Sequence, residues 1–107
     1  MKEIVFSYNW NNKLGCKAFT TIRLSESYKP GEEYKVILSV KGKTPEVQGV
    51  ARIIEIKKFF LDQINEFISQ LDTGYTKYEC VNIIKRMYQN ADWTKQKLSL
   101  ILFKYNG

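Results

Sequence analysis

Gly15-Cys16-Lys17-Ala18-Phe19-Thr20-Thr21-Ile22-Arg23 is the stretch on which the reading of this chain turns. Phe19, Thr20, Thr21 and Ile22 are β-forming residues, so one reading is an amphipathic strand entered through a glycine turn. The other is a small anion or polar-ligand site. A flexible backbone, a titratable amine, two hydroxyls and a fixed guanidinium fall within nine residues. Neighbours on a strand point to opposite faces, so only one of Thr20 and Thr21 enters a cleft unless a bulge intervenes.

Toward the N-terminus, Ile4, Val5 and Phe6 with Tyr8 form a short β-rich run. Asn9-Trp10-Asn11-Asn12-Lys13-Leu14 follows, where the asparagines favour a cap or turn and one helical turn fits before Gly15. Toward the C-terminus, residues 25–27 read as a loop and Lys29-Pro30-Gly31-Glu32 as a turn. Tyr34, Val36, Leu38 and Val40 alternate with polar positions, the pattern of a half-buried strand. Gly42 to Pro45 breaks it, and a hairpin leads into a β-branched strand from Val47 to Lys57. Gly49 within that strand marks a bulge or a close approach, and Arg52 is expected to snorkel at a sheet edge.

From residue 59 the period changes. Phe60, Ile64, Phe67, Ile68 and Leu71 predict an amphipathic helix, stopped by Asp72-Thr73-Gly74. Thr76-Lys77-Tyr78-Glu79 fits a capping box for a second helix, with Cys80, Ile84 and Met87 on one stripe. Leu98 to Tyr105 is apolar on both faces, as a central strand is. The order predicts an α+β fold, a single domain over residues 1–107, with a curled antiparallel sheet and two helices packed at one side.

Composition narrows the function classes. The chain has no histidine, which removes Ser-His-Asp and Cys-His catalysis and histidine-based metal sites. Two cysteines, Cys16 and Cys80, make neither a disulfide framework nor a zinc site, so free thiols in a reducing compartment are expected. The net charge of +6 favours anionic partners such as nucleic acid. Lys2 and Glu3 precede only a short apolar run, and no segment approaches membrane-spanning length. The expectation is a cytoplasmic protein that is monomeric and uses no metal, cofactor or membrane.

Three groups of residues resemble the ASCH domains, a branch of the PUA-like β-barrels. That family carries a Gly-x-Lys-x-x-Thr-x-Arg signature. Gly15 to Thr20 fits its first six positions and Thr21-Ile22-Arg23 its last three, so this chain has one inserted residue. Pro30-Gly31-Glu32-Glu33-Tyr34 resembles the family's entry to its barrel. Asp72-Thr73-Gly74, Glu79, Tyr88 and the closing Leu102-Phe103-Lys104 resemble its acidic helix position and final strand. The resemblance spans nearly the whole chain.

It implies a PUA-like β-barrel with a cleft between barrel and helices, recognising RNA or a modified nucleoside. Some small ASCH proteins are amidohydrolases that deacetylate acetylcytidine-type nucleosides with the signature Lys and Thr and an acid on a helix. Carried over, the catalytic set is Lys17, Thr20 or Thr21, and Glu79. Thr20 keeps its spacing to Lys17, whereas Thr21 keeps its spacing to Arg23. The amine would activate a hydroxyl only with its pKa lowered by burial or by a neighbouring cation such as Arg23. Ligand-binding candidates are Gly15, Arg23, Lys13 toward a phosphate and Tyr28 as a stacking surface. A non-catalytic regulatory or interaction domain is the remaining alternative.

Overall fold

The computed structural model describes every residue except Ser25, so the loop expected over 25–27 falls partly outside the described residues. Five strands form one sheet: β1 (Lys2–Phe6), β2 (Ala18–Arg23), β3 (Glu33–Leu38), β4 (Glu46–Phe59) and β5 (Leu98–Tyr105). Two α-helices, α1 (Glu66–Thr73) and α2 (Lys77–Met87), lie between β4 and β5 in the chain. Short 3-10 segments occupy Trp10–Gly15 and Leu61–Gln63.

The strand order is β1-β3-β4-β5-β2. The β3–β4, β4–β5 and β2–β5 pairs are antiparallel, but β1 runs parallel to β3. The sheet is therefore mixed, not wholly antiparallel as expected. It curls far enough for Phe6 of β1 and Phe19 of β2, on its two end strands, to meet edge-to-face at 5.8 Å. Closure into a barrel is not reached, because β1 and β2 share no ladder. A side chain spans that seam instead. Arg23 donates from Nη2 to the Val5 carbonyl at 3.1 Å and sets its guanidinium 4.7 Å from the Phe6 ring centroid.

Two apolar clusters form on this frame. One gathers Ile4, Phe6, Phe19, Tyr34, Val36, Ala51, Ile53, Ile101 and Phe103 from all five strands inside the curl. The other packs Ile22, Phe59 and Leu98 of the sheet against Leu61, Ile64, Cys80 and Ile84. β5 is central, between β4 and β2, and that is why it is apolar on both faces. Arg52 lies on an interior strand, not at an edge, and reaches Glu33 on β3 at 3.5 Å. The β3–β4 register slips between Val36↔Gly49 and Ile37↔Val47. Gly49 has φ +148°, and a Cβ there would come 3.2 Å from the Tyr105 ring. The bulge and the close approach expected of this glycine coincide.

α1 departs most from its sequence pattern. Helix begins only at Glu66, with Asn65 as its cap accepting from Ile68 N at 2.8 Å. Phe67 and Leu71, expected in the core, are 80% and 70% exposed. The face turned inward carries Ser69 and Asp72, both buried. Polar contacts to the Asn-rich turn decide the rotation of the helix. On α2 the capping box forms as expected, and Cys80 and Ile84 are buried, but Met87 is exposed.

Gly74 ends α1 in the left-handed region, φ +78°, where an L side chain is strained. A Cβ there would also press on Asn11 at 3.2 Å. Gly74→Ala should cost about 1–2 kcal/mol in urea unfolding. A change under about 0.5 kcal/mol would show that this C-cap does not constrain the turn.

Candidate functional site

The site lies at the β1–β2 seam, and a run of asparagines builds one side of it. Asn11 and Asn12 both adopt positive φ, 56° and 53°, which asparagine tolerates better than most residues. Asn9 Oδ1 accepts from Leu14 N at 3.0 Å and holds the turn from within. Asn11 Nδ2 lies 3.4 Å from the carbonyls of Gln70 and Leu71, at the C-terminal end of α1. Docked this way, the turn carries Lys13 inward.

Lys13 is 5% exposed and Asp72 4% exposed. Lys13 Nζ donates to Asp72 Oδ1 at 3.0 Å, and Thr20 Oγ1 donates to the same oxygen at 2.8 Å. An anion in the last turn of a helix opposes the macrodipole. The cation from the asparagine turn offsets that. Burial pushes the Lys13 amine below its ordinary value, while the Asp72 charge and hydrogen bond pull the other way and Arg23 adds to the lowering.

Thr21 completes the arrangement from the neighbouring position. Its hydroxyl accepts from Arg23 Nε at 3.1 Å. A cavity of about 80 Å³ is lined by Lys13, Thr21, Arg23, Asp72, Phe6 and Cys80, among others. That is room for roughly a few waters or one small planar group. The Cys80 thiol beside it is pushed up to about 11, first by burial and then by Asp72. It is held as a neutral thiol rather than a nucleophilic thiolate. At pH 8 one thiol, the exposed Cys16, should therefore react rapidly with a disulfide reagent, and the second only on unfolding. Two fast equivalents in the native protein would contradict the burial of Cys80.

Of the residues singled out in the sequence, the fold brings Lys13, Thr20, Thr21 and Arg23 together. Lys17 is exposed, and its carbonyl accepts from Tyr105 N at 2.9 Å. Gly15 is exposed, with open space where a Cβ would stand. Glu79 is exposed and closes the capping box, accepting from Thr76 Oγ1 at 2.9 Å. Tyr28 packs against the strand core, 5.6 Å from the Tyr34 ring, rather than at the seam. The buried amine is thus four residues before the one that matches the signature, and the buried carboxylate is Asp72 rather than Glu79.

In the sequence, Asp72 reads as part of a helix stop and of the third group resembling the ASCH family, with the catalytic acid assigned to Glu79 instead. One signal pointed to it: a carboxylate in the turn before a C-cap glycine, where the dipole asks for a compensating cation. Among the described residues, no group of three or more Cys, Asp or Glu side chains could hold a metal ion. No helix is long and apolar enough to cross a membrane.

No family model matches the chain, and no curated protein matches it. One solved structure is similar: protein EF3133 from Enterococcus faecalis V583, of the DUF984 family. The TM-score is 0.56 at 14% identity, covering 98% of this chain and 80% of that one. The two share a small single-domain fold. At that identity the likeness extends to the fold alone, so a functional reading rests on the site.

Proposed function

We propose that this chain recognises a modified nucleoside through its base, in the cavity at the β1–β2 seam. The observation that carries this reading is the buried Lys13–Asp72 pair opening onto a small cavity edged by Thr21 and Arg23. Desolvating an ion pair is costly, and apolar residues of like size are often as stable or more so. A pair set against a cavity, with donors and acceptors converging there, matches the chemistry of a polar heterocycle rather than that of a core. The Lys13 ammonium and the Arg23 guanidinium donate to a ring carbonyl, and the Asp72 carboxylate accepts from an exocyclic amine. The resemblance to ASCH domains supports the same ligand class.

The lowered Lys13 amine favours a second reading, an amidohydrolase acting on an acetylated base. A threonine hydroxyl, Thr20 or Thr21, would attack the acetyl carbon, with its proton passing to the Lys13 amine or the Asp72 carboxylate. The carbon–nitrogen bond would then break as the leaving amine takes up that proton. Water would hydrolyse the resulting threonyl ester and release acetate.

Calorimetry with acetylcytidine, and chromatography of the same mixture for cytidine, test both readings. Lys13→Met and Thr21→Val should each weaken binding at least about tenfold, whereas Lys17→Ala should leave it unchanged. Turnover that survives Thr21→Val but not Thr20→Val would assign the nucleophile to Thr20. A wild-type protein that binds neither acetylcytidine nor cytidine would overturn the proposal, as would binding that is indifferent to Lys13→Met and Thr21→Val.

A further inference from the structure

A second pocket lies away from the seam. Its volume is about 620 Å³, within the roughly 300–1,000 Å³ of small-molecule sites. It shares no lining residue with the seam cavity, and no strand contributes to its walls. Three segments meet there: residues 60–62, one stripe of α2, and Trp93 with Thr94 from the chain between α2 and β5. Lys77, Val81 and Lys85 are spaced four apart, so they stack along one side of the helix. Cys80, Ile84 and Met87 form the neighbouring stripe and line the seam cavity. One helix therefore walls two separate sites.

The inner wall is apolar. Leu61 is buried, and Val81 and Trp93 are half-buried against the helix-side cluster. The polar groups around this wall are uncommitted. Lys77 Nζ, Lys85 Nζ, Trp93 Nε1 and the Asp62 carboxylate make no hydrogen bond or ion pair among the described residues. The neighbouring acids are engaged: Glu66 accepts from Lys77 N at 2.9 Å, and Asp92 from Thr94 Oγ1 at 2.6 Å. Two lysines and one aspartate leave the lining with a single net positive charge. A half-buried apolar wall ringed by uncommitted donors suits an amphipathic ligand that carries a negative charge.

We propose that this pocket binds a small aromatic monocarboxylate. The ring lies on Leu61, Val81 and Trp93, and the carboxylate accepts from Lys77 and Lys85. The two lysines stand about 12 Å apart along the helix axis, and their long stems reach back over Val81 between them. Trp93 Nε1 offers a further donor at the edge of the apolar wall. Asp62 sets the charge of the ligand. It leaves a match for one negative charge and repels a dianion such as a phosphate monoester. The site stands apart from the seam and does not depend on the reading given there. Lys77, Lys85 and Asp62 are exposed, so substitutions at all three leave the core untouched.

Trp10→Phe leaves Trp93 as the one tryptophan of the chain, so its emission reports on the pocket. Titration of that variant with phenylpropionate should shift the emission to saturation at millimolar concentration, as expected of a ligand this small. Phenylpropionamide, which has the same ring and no charge, should bind at least about fivefold more weakly. Phenyl phosphate should bind no more tightly than the carboxylate. Adding Lys77→Met and Lys85→Met should bring carboxylate and amide to equal affinity, with amide binding unchanged. Asp62→Asn should tighten the carboxylate by about twofold or more and leave the amide as it was. Absence of a saturable shift with phenylpropionate would overturn the proposal. So would equal affinity for acid and amide, tighter binding of phenyl phosphate, a carboxylate preference that survives the loss of both lysines, or a carboxylate weakened by Asp62→Asn.

Discussion

Asp72→Ala lowers the unfolding free energy by about 3–5 kcal/mol at neutral pH, the cost of stranding one partner of a buried ion pair. Asp72 accepts from both Lys13 and Thr20 through one oxygen, so its loss strands the buried Lys13 amine and frees the half-buried Thr20 hydroxyl at once. Lys13→Met/Asp72→Leu should recover most of the loss, because neither charge then remains to be desolvated. A single variant within about 1 kcal/mol of the parent would show that water reaches the pair, and with it that the seam is not the dry site described. Alkaline pH gives an independent check with a definite sign. The folded Lys13 amine lies below its unfolded value of 10.5, so between the two values the unfolded chain binds more protons. Stability contributed by Lys13 therefore rises with pH through that window. Cys80 and Tyr34, both raised, act in the opposite direction, so the comparison is between parent and Lys13→Met. The parent should gain on the variant as pH climbs toward 10.5. A constant difference would mean that the Lys13 pKa is not lowered by folding.

Phe103→Ala should cost about 3–5 kcal/mol, the other large loss expected in the molecule. Its ring is fully buried at the centre of the strand core. It stacks on Phe19 at 5.3 Å and meets Tyr34 edge-on at 5.9 Å. The backbone at that position pairs with Phe19 on β2 and Ile53 on β4, so a cavity there loosens both sides of the central strand. Phe103→Leu keeps most of the volume and should cost under about 1.5 kcal/mol if the neighbours repack. Calorimetric or urea unfolding of the two variants measures the difference. Equal losses would mean that ring geometry, rather than filled volume, holds β5 in place.

Most strands and turns of this protein are legible along the chain, because alternation and turn chemistry are local. Tyr34, Val36 and Leu38 on one side of β3, Pro30-Gly31 before it and the Thr76–Glu79 box each follow from residues a few positions apart. The central place of β5 follows from its two apolar faces. The parallel pairing of β1 with β3 and the open seam beside it carry no such local signature. They depend on which strand edges meet after the chain has folded back.

The site divides in the same way. Thr20, Thr21, Arg23 and Lys13 stood out as polar groups near a turn. Which lysine is buried was decided by Asn11 docking on the end of α1, some 60 positions along the chain. That contact turns Asp72 inward and leaves Phe67 and Leu71 in solvent, against the apolar stripe. Helical periodicity measures a helix's own preference for burial. A buried ion pair, with a hydroxyl on the same oxygen, exists only between distant segments, so its partners were settled by tertiary structure alone.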